Sequence, residues 1–137
     1  MKTQSKPSRG WRNNNPLNIR YDRNNAWQGQ TGQDSEGFCR FNNLVNGTRA
    51  AFALLRSYKS RYHCVTIRDI ITRWAPPSEN HTDTYIEFVC KHLMMSPEDP
   101  IVYNQESGRL LVKAMAVYES KMFLDNDILS AAQHQVF

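Results

Sequence analysis

The run Arg9-Gly10-Trp11-Arg12-Asn13-Asn14-Asn15-Pro16-Leu17-Asn18-Ile19-Arg20, followed by Trp27-Gln28-Gly29, packs amides, guanidinium groups and indoles into a stretch with little apolar content. Asn competes for its own backbone and Pro excludes helical geometry from the residue before it, so this run reads as an ordered loop or turn. Its polar and aromatic groups are suited to hydrogen-bonding and stacking on sugars, which makes a carbohydrate cleft the first chemistry to consider. A basic arm ending in a turn is the plainer alternative.

Work on a glycosidic bond requires a protonated carboxylic acid beside the leaving oxygen, in a setting apolar enough to raise its pKa. Glu119 follows the apolar stretch Val112-Lys113-Ala114-Met115-Ala116-Val117-Tyr118 and would project from a helix end. Its plain reading is a solvated carboxylate, unfavourably placed for the helix dipole. Glu79 lies in Trp74-Ala75-Pro76-Pro77-Ser78-Glu79-Asn80-His81-Thr82, a rigid loop fit to line a groove or simply to lead into the next helix. Asp34 and Glu36 offer a second carboxylate in the polar segment before Phe38, and each alone reads as an exposed loop charge.

The elements that must position these groups follow from spacing. A chain of 137 residues with 40% hydrophobic and 22% charged residues reads as one globular domain, residues 9–137, behind a flexible basic lead over 1–8. Ile19-Arg20-Tyr21 and Ala26-Trp27-Gln28 flank the turn-rich Asp22-Arg23-Asn24-Asn25 and suggest a short hairpin; Phe38-Cys39-Arg40-Phe41 allows one more strand. Ala50/Ala51, Leu54/Leu55, Tyr58 and Tyr62 recur at helical spacing, predicting a helix that starts at Asn46 or Thr48. Thr66 and Asp69 form a capping-box pattern ahead of Ile67, Ile70, Ile71 and Trp74, and Pro76-Pro77 stops that helix. A third helix begins with Thr82 as its cap and buries Tyr85, Val89 and His92/Leu93. A fourth carries Leu110/Leu111, Ala114/Met115, Tyr118 and Glu119, and a weaker pattern follows Asp125. The expected fold class is α+β, mostly helical, with a small N-terminal β-hairpin lobe.

Charge is unevenly distributed. The net charge is +4, yet residues 1–23 hold six Lys/Arg against one Asp and the remainder is nearly balanced. A basic N-terminal segment suits an anionic partner such as an acidic wall polymer or nucleic acid. Nucleic acid is the weaker expectation, because DNA readers usually pair such an arm with a basic recognition helix. Cys39, Cys64 and Cys90 lack CxxC spacing, and with His63, His81 and His92 they form no metal-ligand pattern; reduced thiols are expected, with no metal and no cofactor. The N-terminal residues lack the apolar run of a signal peptide and no segment is long enough to span a bilayer. The expectation is a protein made in the cytoplasm, with no membrane partner, that acts outside it only if something else delivers it.

The motifs together resemble phage and prophage lysozyme-like muralytic proteins of virion type, related to peptidoglycan glucosaminidases and lytic transglycosylases. The resemblance rests on the Arg9–Arg20 run, Trp27-Gln28-Gly29, the Gly37-Phe38 to Phe41 step, Gly47-Thr48-Arg49-Ala50, and Arg73-Trp74-Ala75-Pro76-Pro77-Ser78-Glu79-Asn80 with Thr82 and Tyr85-Ile86, and covers roughly residues 9–120. Asn15-Pro16-Leu17-Asn18-Ile19-Arg20 is similar to that group's Asn-Pro-Gly-Asn-Ile-Arg element, with Leu17 in place of the glycine. The resemblance implies a lysozyme-like domain acting on peptidoglycan glycan strands, with virion or lysis-machinery proteins as further partners.

In the glucosaminidases and transglycosylases the general acid is a Glu-Ser at a helix end ahead of the Asn-rich element. Glu119-Ser120 resembles that pair displaced to the C-terminal side, which makes the domain a circularly permuted relative; Ser120-Lys121 departs from the Asn-Gly of the phage group. The implied roles are Glu119 as general acid with Glu79 as second candidate, and Asn15, Asn18, Arg20, Trp27, Trp74, Asn80 and Tyr85 as substrate-binding groups. The alternatives are a non-catalytic peptidoglycan-binding or virion-structural protein and, behind these, a nucleic-acid-binding domain.

Overall fold

A computed structural model describes residues 7–137. Most of the basic lead expected over 1–8 therefore lies outside the described residues. The elements are α1 (Arg9–Asn13), β1 (Gln30–Gln33), β2 (Cys39–Phe41), α2 (Leu44–Tyr62), α3 (Ile67–Trp74), α4 (Thr82–Leu93), α5 (Glu106–Ser120) and α6 (Asn126–Val136). The protein is α+β and mostly helical, with one small antiparallel sheet, as its patterning implies.

α5 is the central helix. Leu111, Val112, Ala114, Met115 and Ala116 are all at most 2% exposed, so this helix is apolar around more than one face and must be enclosed by others. α4 and α6 pack against it, α6 also lies along α2, and α3 packs on α4. The C-terminal end of α5 carries Tyr118, Glu119 and the buried Ser120, and α1 also packs on this helix.

The capping box of α3 is present as read: Thr66 accepts from the Asp69 amide at 3.1 Å and Asp69 accepts from the Thr66 amide at 3.2 Å. Two other boundaries differ from the sequence reading. α2 starts earlier, because Asn43 caps it by accepting from the Asn46 amide at 2.8 Å. Thr82 is the first residue of α4, not its cap; its buried hydroxyl donates to the Ala75 carbonyl and so ties the start of α4 to the end of α3. His92, expected on the buried face of α4, is exposed and rests on Phe88, while Leu93 is buried.

The β-lobe is also rearranged relative to expectation. β1 pairs with β2 around an Asp34–Gly37 turn in which Gly37 takes φ +89°, a conformation that favours glycine. Ile19–Tyr21 pairs with Gly37–Cys39, through Cys39 N to Ile19 O at 2.9 Å and Tyr21 N to Gly37 O at 2.8 Å, and not with Ala26–Gln28. The turn at Asp22–Asn25 does form, but a second turn from Trp27 to Gln30, with Gly29 at φ +77°, carries the chain away before a strand can return.

Candidate functional site: a cleft floored by Glu119

The Asn-rich run begins as a short helix. Ser8 caps α1, and Asn14, in the left-handed conformation at φ 51°, ends it. Asn15–Asn18 then forms a turn closed by Asn18 N to Asn15 O at 3.1 Å. Asn18, at φ 52°, occupies the left-handed position, a conformation Asn tolerates better than most residues. Leu17 is spared that conformation, so a leucine fits where the resembling proteins have glycine, and its side chain is buried.

Asn15 holds this corner together. It is fully buried; its Nδ2 donates to Ile19 O and Cys39 O, both at 3.0 Å, and its Oδ1 accepts from Ile19 N at 2.9 Å. The sequence reading placed Asn15 on substrate, and the structure corrects this: a side chain with all three bonds directed inward belongs to the frame of the cleft.

Two side chains join the corner to the end of α5. Ser120 Oγ donates to Pro16 O at 2.7 Å, and Asn18 Nδ2 donates to the Glu119 carbonyl at 3.1 Å. The fit is close. A Cβ on Gly10 would lie 2.1 Å from Ser120 Oγ, and one on Gly47 of α2 only 1.7 Å from the Asn14 carbonyl oxygen. Residues more than a hundred positions apart in sequence thus share one rigid junction.

Beside this junction lies an open cleft of about 1120 Å³. Arg20, Trp27 and Phe38 line its β-lobe side, Tyr58, Trp74, Glu79 and Asn80 its helical side, and Asn18 and Glu119 the region between. Six of the sequence candidates, Asn18, Arg20, Trp27, Trp74, Glu79 and Asn80, therefore meet on one surface with Glu119. Tyr85 is 2% exposed and lies beneath, its ring stacked on Tyr118 at 3.8 Å between centroids.

Glu119 is only partly accessible, and Trp74 Nε1 donates to its Oε2 at 3.3 Å. Burial pushes its pKa above the ordinary carboxylate value, while the hydroxyl of Tyr85 and the indole of Trp74 work in the opposite direction and are outweighed. Its place in the last turn of α5 adds the unfavourable end of the helix dipole. The Tyr85 hydroxyl is likewise pushed well above its ordinary value, by burial first and then by the neighbouring Glu119 charge. The remaining cleft carboxylates, Asp22 and Glu79, are exposed on the rim.

The cleft also gathers unsatisfied polar atoms. Among the described residues the buried side-chain atoms without a hydrogen-bond partner in the protein are Arg9 Nε, Asn18 Oδ1, Trp27 Nε1 and Tyr85 OH. The first three belong to residues that line this cleft and the fourth adjoins Glu119. Buried polar groups are normally paired, so their concentration at one place sets this cleft apart from the rest of the described residues.

Asp34 and Glu36 stand apart. Asp34 accepts from the Phe38 and Glu36 amides and from Asn13 Nδ2, all at 2.9 Å, and these bonds hold its pKa down at about 2. Glu36 is exposed and pairs with Arg9 at 2.6 Å. Sequence reasoning missed Arg9, Phe38 and Tyr58 as cleft residues. Arg9 and Phe38 lay inside motifs already singled out, and Tyr58 was hidden by its helical spacing, which reads equally as core.

The fold and site together define an α+β, mostly helical protein with a polar and aromatic cleft floored by a partly buried carboxyl group. No known protein-family model matches the sequence. Protein P5 of Pseudoalteromonas phage PM2 is 37% identical to it over 116 residues, which cover 82% of this chain and 71% of that protein. The chain belongs to the family of this phage protein. No described helix is long and apolar enough to cross a membrane.

Proposed function

We propose that this chain is a lysozyme-like muralytic protein that cleaves peptidoglycan glycan strands with Glu119 as its single general acid. The observation that carries the reading is the partly buried carboxyl of Glu119 on the cleft floor, held by Trp74 Nε1 and lying over the buried Tyr85. A general acid must hold its proton near the working pH, and burial favours that form. Glu119 donates the proton to the bridging oxygen, and the substrate's own acetamido group stabilises the developing oxocarbenium ion. Arg20 and Asn80 supply hydrogen bonds to the sugars, Asn18 and Trp27 shape the cleft wall, and the Trp74 indole orients the acid. Glu79, exposed on the rim, is second choice as acid because nothing there shields its charge from water.

Membership of a phage protein family is compatible with delivery in a virion or with a lysis machinery, and also with a virion-structural protein that grips the wall without cutting it. One experiment separates these readings. Muropeptide release from purified sacculi is measured for the wild type, Glu119→Gln and Glu79→Gln, with mass analysis of the sugar ends and a folding check on each. Release lost in Glu119→Gln alone supports the enzyme, and the end chemistry distinguishes hydrolysis from an anhydro product. Sacculus binding without release by the folded wild type supports the structural reading instead.

A further inference from the structure

The cleft does not end at its helical wall. Leu54 and Tyr58 of α2 also line a second groove, of about 910 Å³, whose other walls include Arg61, Tyr62, His63 and Arg73. A chain of aromatic rings connects the two. Trp74, bonded to Glu119, lies 6.3 Å from Tyr58 between ring centroids, and Tyr58 lies 6.2 Å from Tyr62. The Arg73 guanidinium sits 3.2 Å from the Tyr62 ring centroid.

The charges of this groove are unequal in availability. Arg68 is paired with Glu98 at 2.6 Å, and the Asp69 carboxylate is occupied by the Val65 and Thr66 amides. Arg61 and Arg73 are exposed and have no carboxylate within 4.0 Å among the described residues, and residues 1–6 contain no acid that could supply one. Stacking on Tyr62 fixes the plane of the Arg73 guanidinium and leaves its N–H edge for an anion, the geometry that suits a planar carboxylate.

We infer that this groove is a subsite for the free carboxylates of the peptide side chains borne by the glycan strand, reached along the Trp74–Tyr58–Tyr62 face while the sugars occupy the cleft over Glu119. The inference rests on the glycan reading above and adds a specificity to it. Polymer that still carries its acidic peptides is held at both places, whereas stripped glycan is held only in the cleft.

The test uses the Glu119→Gln protein, so that substrate survives, and measures Kd at low salt for glycan oligomers with intact peptides and for the same oligomers with the peptides removed. Peptide-bearing oligomers should bind roughly five- to tenfold more tightly, the effect expected of two exposed, charge-assisted contacts. Adding Arg61→Gln and Arg73→Gln should abolish that preference and leave the Kd for stripped glycan unchanged. Equal affinities in the parent, or a preference that survives both substitutions, would overturn the inference.

Failure of both oligomers to bind would instead remove the glycan reading. The groove is then judged by titrating the isolated acidic peptide while observing the arginine Nε–H signals of residues 61 and 73. Shifts at both support a carboxylate site, and unmoved signals dismiss it. Tighter binding of duplex DNA that depends on the same two arginines would reassign the groove to phosphate and also overturn the proposal.

Discussion

Asp34 and Glu119 flank the same Asn-rich corner, and the fold treats their charges in opposite ways. Asp34 is surrounded by donors, two backbone amides and the Asn13 amide, and its charged form is built into the β-lobe. Glu119 is partly buried at the end of an apolar helix with an indole and a phenol beside it, and its charged form is penalised. A carboxylate that organises a turn must be ionised, whereas one that is to give up a proton must first hold it. The contrast separates a structural acid from a candidate catalytic one without reference to any relative.

The comparison breaks most visibly at Glu119→Gln. Loss of a general acid is expected to lower muropeptide release by a factor of about 10² to 10⁴. Thermal stability near neutral pH should hold or rise, because the variant no longer buries a penalised charge. The pH dependence has a definite sign. The folded-state pKa of Glu119 lies above its ordinary 4.5, so its stabilising contribution is complete below that value and is lost as pH rises through the folded pKa. Denaturant titrations across this range should show that slope in the wild type and not in Glu119→Gln.

Next in size is the joint that brings the two regions together. Gly47→Ala places a Cβ 1.7 Å from the Asn14 carbonyl, backbone against backbone, and should cost about 3 kcal/mol in urea unfolding. Asn15→Ala leaves Ile19 N, Ile19 O and Cys39 O without their partner and should cost about 2 kcal/mol or more. If Asn15 acted only on substrate, stability would be untouched and binding alone would fall.

The remaining two predictions sharpen the contrast. Asp34→Asn should remove the part of acid destabilisation that the wild type shows as pH falls from the ordinary 3.8 towards about 2, since a depressed pKa contributes stability only above that window. Trp74→Phe deletes the indole donor that partly supports the Glu119 charge, so the Glu119 pKa should move further up. The alkaline limb of a pH–rate profile then shifts to higher pH, which an indole serving only as packing would not produce.

Local signals were legible where short-range chemistry decides the outcome. The Thr66/Asp69 capping box, the Ile67–Trp74 stripe, the arrest at Pro76-Pro77 and the apolar helix leading to Glu119 all appear where spacing and capping place them. The hairpin was displaced because two turns of equal local quality follow one another, and only pairing with distant Phe38 and Cys39 selects between the edges. Thr82 has the type of a cap, but the Ala75 carbonyl claimed its hydroxyl. The joint between the Asn15–Asn18 corner and Glu119-Ser120 left no local signal, because its two bonds link residues more than a hundred positions apart.

The residue types of the cleft were determined by the sequence alone: the amides, arginines and indoles of the corner, and a lone acid ending an apolar helix. Their division of labour was decided only in three dimensions. Asn15 and Asn18 have the same side chain three positions apart, yet the first is consumed by the backbone of the β-lobe and the second keeps a free Oδ1 beside Glu119. Hydrogen-bond capacity is a property of the residue, while whether any capacity is left over depends on which distant backbone groups the fold brings within reach.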